Sequence, residues 1–150
     1  MSHAYHRLQF HLVFSTKNRL RTITPEFKPK LYAYMVGIVR GLDGMVTAIG
    51  GIEDHVHVLF HTPPKHALSE VIGKIKANSS KWVHETFSNS ARFGWQAGYG
   101  LFSVSESNLA VVKKYIENQE EHHRRLTFQE EFVALLEKHG ITYDPKYLWD

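Results

Sequence analysis

Residues 55–61 alternate between apolar side chains and a set rich in histidine, and this alternation strongly constrains the local fold. Successive side chains of an extended strand point to opposite faces of a sheet. One face would carry Val56, Val58 and Phe60, and the other His55, His57, Leu59 and His61. The pattern therefore predicts a strand with one face in the core and a second face able to hold an ion.

The two histidines of residues 55–57 are candidate metal ligands. Neutral imidazole binds borderline divalent metals well, and two ligands separated by one pleat can converge on a single ion. The alternative for His55 and His57 is a pair of ordinary, partly exposed histidines, which the spacing alone does not distinguish.

The composition restricts the available chemistry. The 150 residues include no cysteine, which excludes disulfides, thiolate metal sites and cysteine nucleophiles. Reactive groups must come from histidine, tyrosine, carboxylates and amides. The length is that of one domain spanning residues 1–150. No stretch approaches the roughly 18 apolar residues of a membrane span and no signal-peptide pattern is found, so we expect a cytoplasmic protein.

Charge is distributed unevenly along the chain, although the net charge is only +3. The first forty residues contain seven lysines or arginines and one acid, Glu26. A second basic group, Lys74, Lys76 and Lys81, lies on a predicted helix. This asymmetry is typical of a protein that binds phosphates on one side, but an ordinary solvated basic surface has the same pattern.

Hydrophobic periodicity predicts a series of strands and helices. Strands are predicted over residues 8–14, 45–52, 54–61 and 98–105, with Gly50 and Gly51 in the turn between the second and third strands. Helices are predicted to begin at Pro25, at Leu68, near Asn108 and near Phe128, the third continuing past Gln119 and the last ending before Gly140.

This order, β-α-β-β-α-β with trailing helices, is that of the split βαβ, ferredoxin-like α+β fold. The antiparallel sheet would have two helices on one face, followed by a C-terminal helix that bears a tyrosine. The first and third strands are neighbours in this topology. We therefore expect His11 on the same open face as His55 and His57, where it would either orient a ligand or serve as a structural histidine.

Tyr115 and Gln119 are four residues apart on the third predicted helix, so their side chains lie on the same face of the helix. Both could therefore contribute to one small site. The phenol is a possible nucleophile toward phosphorus, and the amide oxygen is a hard ligand for a metal ion. By itself this pair is common on helix surfaces.

Four segments together resemble the single-tyrosine transposases of the IS200/IS605 group, within the HUH nuclease superfamily, where U is a hydrophobic residue. The segments are residues 10–19 (FHLVFSTKNR), 55–57 (HVH) with 63–65 (PPK), 95–105 (WQAGYGLFSVS) and 115–119 (YIENQ). Related repeat-associated tyrosine transposases share the histidines and tyrosine but tend to lack the glutamine. Gln119 therefore favours the insertion-sequence branch.

The resemblance implies a DNA strand transferase that acts on single-stranded, hairpin-bearing ends. His55, His57 and Gln119 would bind Mg²⁺ or Mn²⁺, and Tyr115 would attack the scissile phosphate to form a 5′-phosphotyrosine. In the family the active protein is a homodimer whose sites can combine histidines and tyrosine from different subunits. Such a protein would associate with the nucleoid when bound to DNA.

Other assignments rest on the residues themselves. The candidates for phosphate contacts are Lys17, Arg19, Arg21, Lys74 and Lys81. The basic run of residues 122–125 would either meet DNA or form a solvated helix end. Alternative functions are a replication-initiator or relaxase-like nickase, a repeat-associated HUH endonuclease, a small metallohydrolase, and an inactive or domesticated single-stranded nucleic-acid-binding protein.

Overall fold

The computed structural model describes residues 3–149. Its strands are β1 (Gln9–Ser15), β2 (Met45–Ile52), β3 (His55–His61) and β4 (Gly100–Val104). Its α-helices are α1 (Lys28–Gly41), α2 (Leu68–Thr86), α3 (Leu109–Glu117), α4 (Gln119–His122) and α5 (Phe128–Lys138), with short 3-10 helices at Lys17–Arg19 and Glu106–Asn108. Within residues 3–149, no helix is both long and apolar enough to cross a bilayer.

The four strands form one antiparallel sheet in the order β2-β3-β1-β4. β1 is central, and its Val13 lies opposite His57 while Ser15 lies opposite His55. The remaining pairings, β1 with β4 and β2 with β3, are also antiparallel. The ferredoxin-like α+β arrangement predicted from the element order is confirmed.

One face of the sheet packs against α1 and α2. The apolar face predicted for β3 lies in this core, which α1 and α2 complete with Leu31, Met35, Val39, Val71, Ile72, Ile75 and Val83. The first helix begins at Lys28 rather than at Pro25, because residues 25–27 form a turn. Pro29 occupies the first helical turn, where its missing N–H leaves no helical hydrogen bond unmade.

The opposite face of the sheet is covered by α3 and α5, so the expectation of an open face is wrong. Phe128 and Phe132 of α5 pack against Val13 and Phe102. Ile116 of α3 packs against β2 and β3. The histidine face is therefore an interior between the sheet and the C-terminal helices.

Gly50 and Gly51 lie inside β2 rather than in the turn, which consists of Glu53 and Asp54 alone. A β-carbon at Gly50 would lie 2.2 Å from the backbone oxygen of Ile116. Glycine at this position lets α3 approach the sheet closely. This close approach brings the neighbouring Tyr115 toward the histidine face.

The helix predicted to continue past Gln119 is interrupted. α3 ends at Glu117 and α4 begins at Gln119, with Asn118 between them at φ −101° and ψ 24°. The break keeps Gln119 and the residues after it close to the sheet, because α4 also packs against β2.

Gly50→Ala is expected to destabilise the fold by about 1–3 kcal/mol, the usual cost of overpacking a filled site. The added methyl group would meet the backbone of α3, which cannot move without disturbing the sheet contact. Urea denaturation measures the change in the free energy of unfolding.

The matched control for this substitution is Gly37→Ala in α1, where nothing lies within 4 Å of an added β-carbon. Alanine there should stabilise the helix by roughly 0.5–1 kcal/mol. An unchanged free energy of unfolding in Gly50→Ala would contradict the close approach of α3.

Candidate metal centre and tyrosine site

His55 and His57 are fully buried on the second face of β3. Their Nε2 atoms lie 3.2 and 3.0 Å from one carboxylate oxygen, Oε1 of Glu131. The strand alternation thus places both imidazoles on the predicted face, and they converge on one point rather than facing solvent.

The outer nitrogens of these two histidines also have side-chain partners. Nδ1 of His55 donates to the Asp54 carboxylate at 2.7 Å. Nδ1 of His57 lies 2.7 Å from Nε2 of His11, the histidine that the topology placed on this face. Partners at Nδ1 hold the rings in orientation, and a ring with its proton on Nδ1 would present the Nε2 lone pair to an ion.

Glu131 is the residue that sequence reasoning missed. It is 1% exposed, and it lies in the first turn of α5, which begins with a capping box between Thr127 and Glu130. Glu131 occupies the helical stripe of Phe128, Phe132, Leu135 and Leu136, all buried. A carboxylate inside the apolar stripe of an amphipathic helix was the available signal, because an unpaired buried carboxylate is too costly to be incidental.

Gln119 at the start of α4 and His123 directly after α4 also contact this cluster. Oε1 of Gln119 lies 3.0 Å from Nε2 of His55. Nε2 of His123 lies 3.0 Å from the Oε1 atoms of both Gln119 and Glu131. The His123 side chain is only 2% exposed. Within the basic run of residues 122–125, His123 is therefore neither part of a solvated helix end nor available for a surface contact with DNA.

Tyr115 contacts the other oxygen of the same carboxylate. Its hydroxyl donates a short hydrogen bond to Oε2 of Glu131, and Nε2 of Gln119 donates to that oxygen at 3.0 Å. The tyrosine ring lies 5.8 Å from the His57 ring and 6.2 Å from the His11 ring. Tyrosine, glutamine and histidines of one chain therefore share a single carboxylate.

The electrostatics of the cluster follow from burial and from this carboxylate. Burial lowers the pKa of His57 to about 4. Burial also disfavours charge on His55, but hydrogen bonds to Asp54 and Glu131 outweigh it and raise its pKa to about 9. Burial would raise the pKa of Glu131, yet the surrounding imidazoles hold it well below its usual range. Burial and the Glu131 charge raise the pKa of Tyr115, so its phenol is neutral.

The donor set fits a divalent cation. Nε2 of His55 faces two acceptor oxygens, those of Gln119 and Glu131, and a single proton cannot satisfy both well. Ligand atoms of His55, His57 and Glu131 all lie within 4.8 Å of one another. Converging nitrogen and oxygen lone pairs of this kind are what a bound metal ion requires.

The structure does not bring the predicted phosphate-binding residues into this cluster. Arg21 pairs with Glu53, Lys81 lies 3.9 Å from Glu85, and Arg19 donates to the Trp149 carbonyl. Lys17 and Lys74 are exposed. Lys76, which belonged to the second basic group, instead donates to the backbone carbonyls of residues 96, 97 and 98.

An apolar cavity of about 360 Å³ reaches the tyrosine from the surface between α3, α5 and β4. His11, Tyr115 and Glu131 are among its lining residues, as are Lys138 at the end of α5 and His139 directly after it. The Tyr115 side chain therefore borders a cavity, although His55 and His57 are buried.

Comparisons with known proteins bear on this arrangement. The family model for IS200-like transposases matches residues 4–119. The transposase for insertion sequence element IS200 of Salmonella typhimurium strain LT2 is 25% identical over 124 residues, which cover 79% of this chain and 81% of that protein. The ISDra2 transposase TnpA of Deinococcus radiodurans is 25% identical over 119 residues, covering 76% and 85%.

Two solved structures share the fold. One is the crystal structure of a Deinococcus radiodurans R1 protein described as a transposase, with a TM-score of 0.64 and 24% identity over 79% of this chain and 96% of that one. The other is a REP-associated tyrosine transposase bound to a REP hairpin, with a TM-score of 0.60 and 15% identity over 82% and 74%. The family match ends at Gln119, before His123 and Glu131. The chain belongs to the IS200-like transposase family.

Proposed function

We propose that this chain is a metal-dependent transposase that cleaves and rejoins single-stranded DNA at hairpin-bearing insertion-sequence ends through a phosphotyrosine at Tyr115. The observation that carries the proposal is the convergence of the Tyr115 hydroxyl and the His55 and His57 imidazoles on the two oxygens of buried Glu131. A nucleophile and a cation site on one carboxylate suit phosphoryl transfer.

The metal ligands in this proposal are His55, His57 and Gln119, joined by Oε1 of Glu131. A bound Mg²⁺ or Mn²⁺ would offset charge on the scissile phosphate and help to align it with the phenol. The fit of the donors to a cation supports this assignment, since the Nε2 atoms of His55 and His57 each lie 3.0–3.2 Å from an oxygen of Gln119 or Glu131.

Glu131 is the proposed acceptor for the tyrosine proton. The Tyr115 oxygen attacks phosphorus as its proton passes to Oε2 of Glu131, and the bond between phosphorus and the 3′ oxygen breaks. The products are a 5′-phosphotyrosine and a 3′ end that takes up a proton to become a hydroxyl. A weakly basic carboxylate suffices because the phenol becomes more acidic as its oxygen bonds to phosphorus.

Strand rejoining reverses this chemistry. The phosphotyrosine remains a phosphodiester, so the 3′-hydroxyl of another DNA end can displace Tyr115 without an external energy source. The reaction therefore requires no nucleotide cofactor. Water must be kept from the intermediate, and the cover that α5 provides over the histidine face supports such exclusion.

Single-stranded DNA with hairpins is the proposed partner, and no membrane is involved. A structural relative is described as bound to a REP hairpin, which supports a hairpin ligand for this chain. Lys17, Arg19, Arg21, Lys74 and Lys81 remain the candidates for phosphate contacts, outside the metal centre. A homodimer is expected from the family, and within one chain Tyr115 contacts Glu131.

Tyr115→Phe is expected to abolish covalent capture of DNA, because it removes only the attacking oxygen. The purified protein is incubated with labelled hairpin-bearing single strands from the flanks of its own gene, with Mn²⁺ or with EDTA. Denaturing electrophoresis should show a protein–DNA adduct only for the wild type with metal, while DNA binding in a gel-shift assay persists in the variant.

Tyr5→Phe is the matched control, since Tyr5 is 92% exposed and should form the adduct normally. An adduct that survives in Tyr115→Phe would contradict the tyrosine mechanism. Hydrolysis of the strand without any adduct, at the same rate in both proteins, would indicate a metallohydrolase instead.

Glu131→Gln is expected to slow adduct formation by about 10²–10⁴-fold, the usual contribution of a positioned general base. The amide retains the size of the carboxyl group but loses the charge and the Oε2 acceptor. The measurement is the single-turnover rate of adduct formation at saturating Mn²⁺.

The control for this substitution is Glu130→Gln, since Glu130 is exposed and glutamine also suits its capping position. Thermal unfolding should show that both variants are folded. A Glu131→Gln rate equal to that of the wild type would exclude Glu131 as the proton acceptor.

A further inference from the structure

The cavity that borders Tyr115 has a lining suited to a flat aromatic ligand. It has a volume of about 360 Å³ and lies between α3, α5 and β4. Its apolar walls are formed by Phe102, Val104, Val111, Val112, Leu126 and Leu135. Apolar walls with a few polar groups are typical of sites that bind a small organic group, because burial supplies affinity and the polar groups set the orientation.

One face of α3 connects Tyr115 to the far part of this cavity. Asn108, Val111, Val112 and Tyr115 recur at the spacing that places side chains on one helical face, and all four line the cavity. Asn108 directly precedes α3 and is exposed. Because a helix rises 1.5 Å per residue, Asn108 and Tyr115 are separated by roughly 10 Å along its axis. A ligand bound along this face would therefore lie between the tyrosine and the Asn108 amide.

The residue that follows α5 supplies an aromatic surface. The ring of His139 stacks on that of Phe102, with ring centroids 4.2 Å apart and planes inclined by 21°. Nδ1 of His139 donates to the Leu135 carbonyl at 2.8 Å, which helps to fix the ring. His139 is exposed as well as lining the cavity, so its ring can meet a further flat group.

The outer part of the cavity carries positive charge. Lys138, the last residue of α5, lines the cavity and is exposed. Among the described residues, Glu131 is the one acid that lines the cavity, and its carboxylate already contacts imidazoles of the cluster. The charge beside His139 therefore complements an anion such as a phosphate.

The occupant follows from the chemistry proposed for Tyr115. A phosphodiester that meets this tyrosine carries a nucleoside on each side, and the surfaces next to Tyr115 must accommodate one of them. Proteins bind unpaired bases by stacking on aromatic rings and by hydrogen bonds to the base edges. Here His139 offers the stacking surface, Asn108 an amide for a base edge, and Lys138 a cation for a phosphate of the strand.

We propose that this cavity binds an unstacked nucleobase of the single strand, next to the phosphate that Tyr115 attacks. The inference rests on the proposed function and deepens it by locating a base-binding site on α3, β4 and α5. Lys138 and His139 lie beyond residue 119, where the family match ends. The C-terminal segment thus supplies both the stacking surface and the cation.

The test uses mononucleotides, so that it requires neither a metal nor cleavage. Isotope-labelled protein freed of metal with EDTA is titrated with dAMP and with 2-deoxyribose 5-phosphate, a matched ligand without a base, and its amide NMR signals are followed. The signals of Val111, Val112 and Leu135 should shift and saturate with dAMP. The sugar phosphate should bind about 5- to 150-fold more weakly, the usual loss when one stacked base is removed.

His139→Ala removes the stacking ring and should weaken dAMP binding by a similar factor, about 5- to 150-fold. The matched control is His84→Ala. His84 is also exposed and its ring centroid lies 6.3 Å from that of Phe93, but it is on α2 and outside the cavity. Thermal unfolding should show that both variants are folded.

Two results would overturn the base-binding site. One is equal affinity of the wild type for dAMP and the sugar phosphate, and the other is the absence of any shift of the cavity signals at millimolar dAMP. Neither comparison depends on a variant. Equal dAMP affinity in His139→Ala and the wild type would overturn the stacking role of His139.

These outcomes are separable from failure of the proposed function. A metal-dependent Tyr115 adduct in a protein that does not bind dAMP in the cavity would overturn this inference alone. Base-dependent binding in the cavity of a protein that forms no adduct would contradict the tyrosine chemistry and support the base-binding site.

Discussion

The buried carboxylate of Glu131 is the interaction on which the rest of the site depends. A carboxylate that is removed from water must be paired, and three imidazoles contact one of its oxygens while the tyrosine and glutamine contact the other. Removing this group would leave several buried histidines without a common partner. It also fixes the position of Tyr115 relative to the β3 histidines, because both contact the same group.

The fold makes this convergence possible through a few local features. Gly50 allows α3 to approach the sheet, and the break at Asn118 keeps α4 on the same side. Phe128 and Phe132 then anchor α5 on Val13 and Phe102. Apolar packing therefore positions the polar cluster, as expected when many weak contacts must offset the cost of burying charge.

Much of this architecture follows from local patterns in the sequence. Alternation over residues 55–61 predicted the strand and both of its faces, and the element order predicted the sheet topology. Glu131 and His123 were not predicted, because their places in the cluster depend on contacts with His57 and His55, more than sixty residues away in sequence. The glycine pair was assigned to a turn because close approach of a helix leaves no periodic signal.

A consequence concerns the C-terminal segment, which lies beyond the region that matches the family. Its helix α5 covers the histidine face and carries Glu131, the group that contacts Tyr115. Displacement of α5 would therefore expose the β3 histidines and free the Tyr115 hydroxyl at the same time. In the proposed mechanism, access of DNA to Tyr115, retention of a metal ion and exclusion of water would then be coupled, because they would depend on the same helix and the same carboxylate.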